Sequence, residues 1–135
     1  MTKGGEIMDL SRNFNRSEFA CRCGCGFDTV DFMLVMVLED LRNHFRMPVI
    51  VTGKNRCKKR NSETPGASPT STHMSGKAAD VRVVDVPEED VADYLEMKYP
   101  GRFGIGRYIG RTHIDVRSVM KRWNNTGRMP SDGYV

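Results

Sequence analysis

From Asp31 to Phe45 the apolar positions Leu34, Val37, Leu38, Leu41 and Phe45 recur at helical spacing, with Glu39, Asp40, Arg42 and Asn43 opposite them. The spacing predicts an amphipathic helix that packs one face on a core. Met47-Pro48 breaks it, and Val49-Ile50-Val51-Thr52 reads as a short buried strand because β-branched residues dominate. Ala78 to Val84 alternates instead, with Ala79, Val81 and Val83 on one face and Asp80 and Arg82 on the other. A second helix is predicted from Pro87 to Lys98. Proline suits its first turn, Glu88, Glu89 and Asp90 suit the positive end of its dipole, and Val91, Tyr94 and Leu95 form its apolar face. Pro100-Gly101 ends it. Phe103 to Ile109 and Thr112 to Val116 then read as a hairpin turned at Gly110-Arg111, with His113, Asp115 and Arg117 on one face and Ile114 and Val116 on the other.

Two stretches carry no such pattern. Lys54 to Thr72, rich in Ser, Thr, Pro, Asn and charge, is a loop long enough to be either functional or disordered in a small domain. Residues 121–135 hold Asn124, Asn125, Thr126, Gly127, Pro130, Ser131 and Gly133, which read as a turn-rich tail. The expectation is one α+β domain over residues 1–120, a small antiparallel sheet flanked by helices.

Composition narrows the class. A chain of 135 residues with 39% hydrophobic and 28% charged positions fits one core and excludes wholesale disorder. The longest apolar run, Phe32 to Leu38, falls far short of the ~18 residues of a membrane span, so a soluble protein without membrane insertion is expected. Met1 to Leu10 has Lys3 but no apolar stretch behind it, which predicts no signal peptide and cytoplasmic synthesis. The net charge of +4 and pI near 9.0 suit an anionic partner such as nucleic acid or a bacterial wall polymer. The only basic cluster, Arg56 to Arg60, has no interleaved aromatic residue, so nucleic-acid binding ranks last.

The candidate chemistry lies in two constellations. His73 stands at the mouth of the long loop, while Asp80 and His113 each lie on the polar face of a predicted strand. If those strands are neighbours, two imidazoles and a carboxylate converge in the three-ligand set of a catalytic zinc, with a fourth position for water. Spacing alone is met as well by an exposed loop histidine and a satisfied strand histidine. The second constellation is Cys21, Cys23, Cys25 and Cys57. Cys-x-Cys-x-Cys is not the usual zinc knuckle, and a structural zinc, two disulfides formed after release, or four thiols all remain open. Metal is preferred, because a basic setting favours thiolate. His44, between Arg42 and Arg46 near a helix end, reads as a surface residue.

The words around these residues carry a resemblance. Ser71-Thr-His73-Met-Ser-Gly76-Lys-Ala78-Ala-Asp80 resembles the Ser-x-His-x-x-Gly-x-Ala-x-Asp signature of the zinc D-alanyl-D-alanine carboxypeptidase family, which also includes phage L-alanyl-D-glutamate endopeptidases and the hedgehog amino-terminal fold. His113-Ile-Asp115-Val-Arg117 is similar to that family's closing strand, and Val51-Thr-Gly-Lys-Asn-Arg56-Cys57 with Asn61 to its arginine-bearing segment. Asn13-Phe14, Ser17-Glu18-Phe19 and the Cys21, Cys23 and Cys25 triplet resemble a subgroup with a Cys-rich amino-terminal segment. The resemblance implies a hedgehog/DD-peptidase-like fold and a zinc held by His73, Asp80 and His113. It also implies that Arg56 stabilises an oxyanion or holds a substrate carboxylate, and that Ser71 binds substrate.

One departure stands out. The family places Glu, Asp or His three positions before its last ligand as general base, and Gly110 occupies that position here. Asp115 is the nearest catalytic substitute, or else a partner that orients an imidazole or pairs with Arg117; Tyr108 and Glu63 are weaker candidates. The leading expectation is a monomeric zinc peptidase acting on peptidoglycan stem peptides, delivered to the wall after release or with a phage virion. The rival is an inactive relative that keeps zinc as a staple and binds wall or protein.

Overall fold

The computed structural model describes residues 10–21, 23, 25, 30–53, 62–64 and 75–128. Helix α1 runs Phe32–Phe45, one residue inside the predicted span, because the Asp31 side chain caps it by accepting from the Met33 N–H at 2.8 Å. It ends where Arg46 takes a left-handed conformation. Its buried stripe is Leu34, Val35, Val37, Leu38 and Leu41. Helix α2 is Glu88–Lys98, preceded by Pro87, and buries Val91, Ala92 and Leu95. An upstream 3-10 turn, Arg16–Phe19, is closed by a capping box between Asn15 and Glu18 and buries Phe19 completely.

Five strands form one sheet: β1 Val49–Gly53, β2 Ala78–Val83, β3 Gly104–Tyr108, β4 Arg111–Asp115 and β5 Lys121–Asn124, in the order β1-β2-β4-β3-β5. The first four pair antiparallel, as expected for this α+β chain, but β5 adds a parallel edge beside β3 and makes the sheet mixed. At two places the chain departs from the expected pattern. Tyr108 pairs with Arg111, so the hairpin turns at Ile109-Gly110 rather than Gly110-Arg111, with Gly110 at φ +82°. The stretch after Lys121 opens with strand β5 instead of a tail: Lys121 N–H donates to Phe103 O at 2.9 Å, and Trp123 packs onto the sheet.

The alternation of the strands separates the two faces of the sheet. Val49, Val51, Ala79, Val81, Val83, Ile105 and Ile114 point with both helices into one core, which Phe14 and Phe19 complete. Burying an aliphatic side chain of this size contributes about 1.5–3 kcal/mol. Polar contacts lock the helices together: Asp40 of α1 accepts from Tyr94 and Tyr99 hydroxyls, each at 3.0 Å. Glu39 accepts from Ser11 and from the backbone and side chain of Asn13, which ties the amino-terminal segment to α1. Among the described residues no helix is long and apolar enough to cross a membrane.

Candidate active site

The opposite face carries the chemistry, and the sheet register aligns it. Gly53 pairs with Asp80, Asp80 with His113, His113 with Gly106, and Gly106 with Trp123, so one row crosses all five strands. A register shift between Val51 and Gly53 brings Gly53 beside Asp80. Two glycines of this row leave room for their neighbours. A Cβ at Gly53 would meet Asp80 Oδ2 at 2.2 Å, and one at Gly106 would meet Trp123 Cε2 at 2.3 Å. In the adjacent row Gly104 does the same for Asp115 and Arg117, whose nearest atoms would stand 2.5 and 2.6 Å from such a Cβ.

His113 sits between two carboxylates. Its Nδ1 lies 3.0 Å from Asp80 Oδ1 and its Nε2 2.7 Å from Asp115 Oδ2. Asp115 is fully buried, and Arg117 donates to it through Nε at 2.7 Å and a terminal nitrogen at 2.6 Å. Burial alone would push the Asp115 carboxyl up, but the bonds from Arg117 and His113 outweigh it and hold the pKa well below the usual carboxylate range. For His113, burial opposes the charged form, yet hydrogen bonds to Asp115 and Asp80 raise its pKa above that of an ordinary imidazole. The two carboxylates thus favour the charged form of the ring between them.

The gap between His113 Nδ1 and Asp80 fits zinc. Its donors are an imidazole nitrogen and a carboxylate oxygen, and ligand atoms on one tetrahedral zinc stand about 3.3 Å apart. A ligating histidine characteristically gives its other ring N–H to a carboxylate, which is the relation of His113 Nε2 to Asp115. His73, the remaining expected ligand, lies outside the described residues, as do Arg56, Ser71 and Cys57. Glu63 is exposed, and Tyr108 is half-buried.

Three further residues stand around the row beyond those the sequence points to: Trp123, Arg111 and Gly106. The Trp123 ring lies 5.0 Å from the His113 ring, and its Nε1 donates to the Tyr108 hydroxyl at 2.9 Å. The Arg111 guanidinium stacks over Tyr108 at 4.1 Å, with Nε 3.6 Å from Asp80 Oδ2. The legible signal was Gly104-x-Gly106-x-Tyr108, a strand whose site face is bare until its last residue. The Cys21, Cys23 and Cys25 sulfurs gather separately, all within 4.8 Å of one another.

Residues 12–115 match the family described as Peptidase M15. The chain belongs to this family of zinc-dependent peptidases, which act on peptide bonds. No curated protein and no solved structure matches it.

Proposed function

We propose that this protein is a zinc peptidase that hydrolyses a bond in peptidoglycan stem peptides, either the terminal D-Ala-D-Ala bond or the L-Ala-D-Glu bond, in phage or prophage lysis or virion entry. Its zinc is held by His73, Asp80 and His113. The observation that carries this reading is the Asp80–His113–Asp115–Arg117 chain, in which a half-buried carboxylate faces one imidazole nitrogen while a buried, cation-paired carboxylate engages the other. When bound, zinc supplies Lewis acidity toward a carbonyl and lowers the pKa of water toward about 7.

The chain's own residues then have distinct tasks. Asp115 accepts a hydrogen bond from the Nε2–H of His113, which fixes the tautomer and leaves the Nδ1 lone pair directed at the Asp80 side. Both Asp115 oxygens are engaged by His113 and Arg117, so orientation suits it better than proton transfer to substrate. Trp123 walls one side of the row, excludes water there and offers an aromatic surface to a peptide. Arg56 supplies a bidentate fork for an oxyanion or a terminal carboxylate, and Ser71 a hydroxyl for the substrate backbone.

Gly110 favours a second reading, a zinc-stapled binding module, since no side chain there can transfer a proton. Digestion of purified peptidoglycan separates the two. The enzyme releases D-alanine or creates new amino termini in a zinc-dependent manner, and mass analysis of the fragments identifies the bond. A protein that binds the wall yet yields neither product overturns the enzymatic reading.

A further inference from the structure

Three cysteines converge at a place that the proposed peptidase chemistry does not use. The sulfurs of Cys21, Cys23 and Cys25 all lie within 4.8 Å of one another, and those of Cys21 and Cys23 are 3.4 Å apart. A disulfide requires about 2.05 Å, so this pair is not bonded. Sulfurs bound to one tetrahedral zinc at about 2.3 Å stand about 3.8 Å apart, inside the spacing found.

The setting is that of a staple. Cys21 is buried at 4% exposure, whereas Cys23 and Cys25 are exposed, so one thiol is rooted in the protein and two face solvent. Just upstream, Phe19 is locked in the core with its ring 6.1 Å from that of Phe14. Downstream, Asp31 caps α1 and donates its N–H to Gly76 O at 2.8 Å, next to the start of β2. The cluster thus occupies the connection between two anchored points.

We propose that Cys21, Cys23 and Cys25 form a structural zinc site, separate from the Asp80–His113 row, that pins the amino-terminal segment to the fold. Each thiol releases its proton on binding, and soft thiolates select zinc over magnesium or calcium. Three thiolates leave one tetrahedral position for water or a further donor. Binding energy at this site is folding energy.

Cobalt(II) exchanged into the full chain, purified under reducing conditions, is the test. Thiolate ligation produces strong near-ultraviolet charge-transfer absorption that a nitrogen and oxygen site cannot produce. The absorption is expected in the unaltered chain, is expected to persist in His113→Ala, and is expected to vanish in Cys23→Ser/Cys25→Ser, which also loses one zinc equivalent. Absence of thiolate absorption in the unaltered chain, or unchanged zinc content in the cysteine variant, overturns the proposal. The first of these readings uses no substitution, so a poorly folded variant does not obscure it. Failure of the peptidase reading is distinguishable, because it leaves peptidoglycan intact while the thiolate absorption remains.

Discussion

The indole of Trp123 occupies the space that a side chain at Gly106 would need, since a Cβ there would meet Trp123 Cε2 at 2.3 Å. Gly53 stands in the same relation to Asp80 at the other end of the row. The two glycines therefore give separable predictions. Gly106→Ala should displace the indole and lower kcat/KM for peptide cleavage by about 10²-fold, the cost of a misplaced site wall, while zinc content stays unchanged. Gly53→Ala should instead displace the Asp80 carboxylate and lower zinc affinity. Steady-state kinetics and metal analysis on both variants check this, and full activity in Gly106→Ala would remove Trp123 from the site.

Asp115→Asn tests what the buried carboxylate does. If it orients His113, zinc affinity falls about 10–100-fold, because a carboxamide can present its N–H to Nε2 and favour the wrong tautomer. Competition with a chromogenic chelator measures this. A variant with unchanged zinc affinity but reduced kcat would make Asp115 the proton-transfer residue.

Away from the site, the Tyr94 and Tyr99 hydroxyls both donate to Asp40, and burial, reinforced by that bond, raises the pKa of each above an ordinary tyrosine's 10.0. The phenols ionise more readily in the unfolded chain. Their contribution is therefore complete below pH 10 and is lost as pH rises through the folded-state values. Melting temperature should fall above that pH, and Tyr99→Phe should flatten the decline at the expense of about 1 kcal/mol at neutral pH. An identical alkaline slope in the variant would rule out this source.

The helices and the strands β2 and β4 are legible in the sequence because each buries one face and so repeats with its own period, and β1 because β-branched residues follow Pro48. The alternation of β2 and β4 places Asp80, His113 and Asp115 on polar strand faces, and the resemblance implies their part in a site. The turn at Ile109-Gly110 is displaced by one residue from the expectation, since Gly110 serves either two-residue turn and the choice depends on the Tyr108–Arg111 pairing. Strand β5 shows no alternation. Lys-Arg-Trp-Asn becomes a strand only because the edge of β3 is available and Gly106 accepts Trp123. The contribution of the glycines was hidden for a similar reason: it depends on what a neighbouring strand lays over them.

The most direct test of the central claim is the rate of peptide-bond cleavage in purified peptidoglycan by the unaltered chain and by His113→Ala, both at saturating zinc. With the Asp80–His113 row as the catalytic zinc centre, the unaltered chain generates D-alanine or new amino termini, chelator abolishes the activity and zinc restores it, and His113→Ala shows no cleavage. Equal rates for the two proteins would contradict the account.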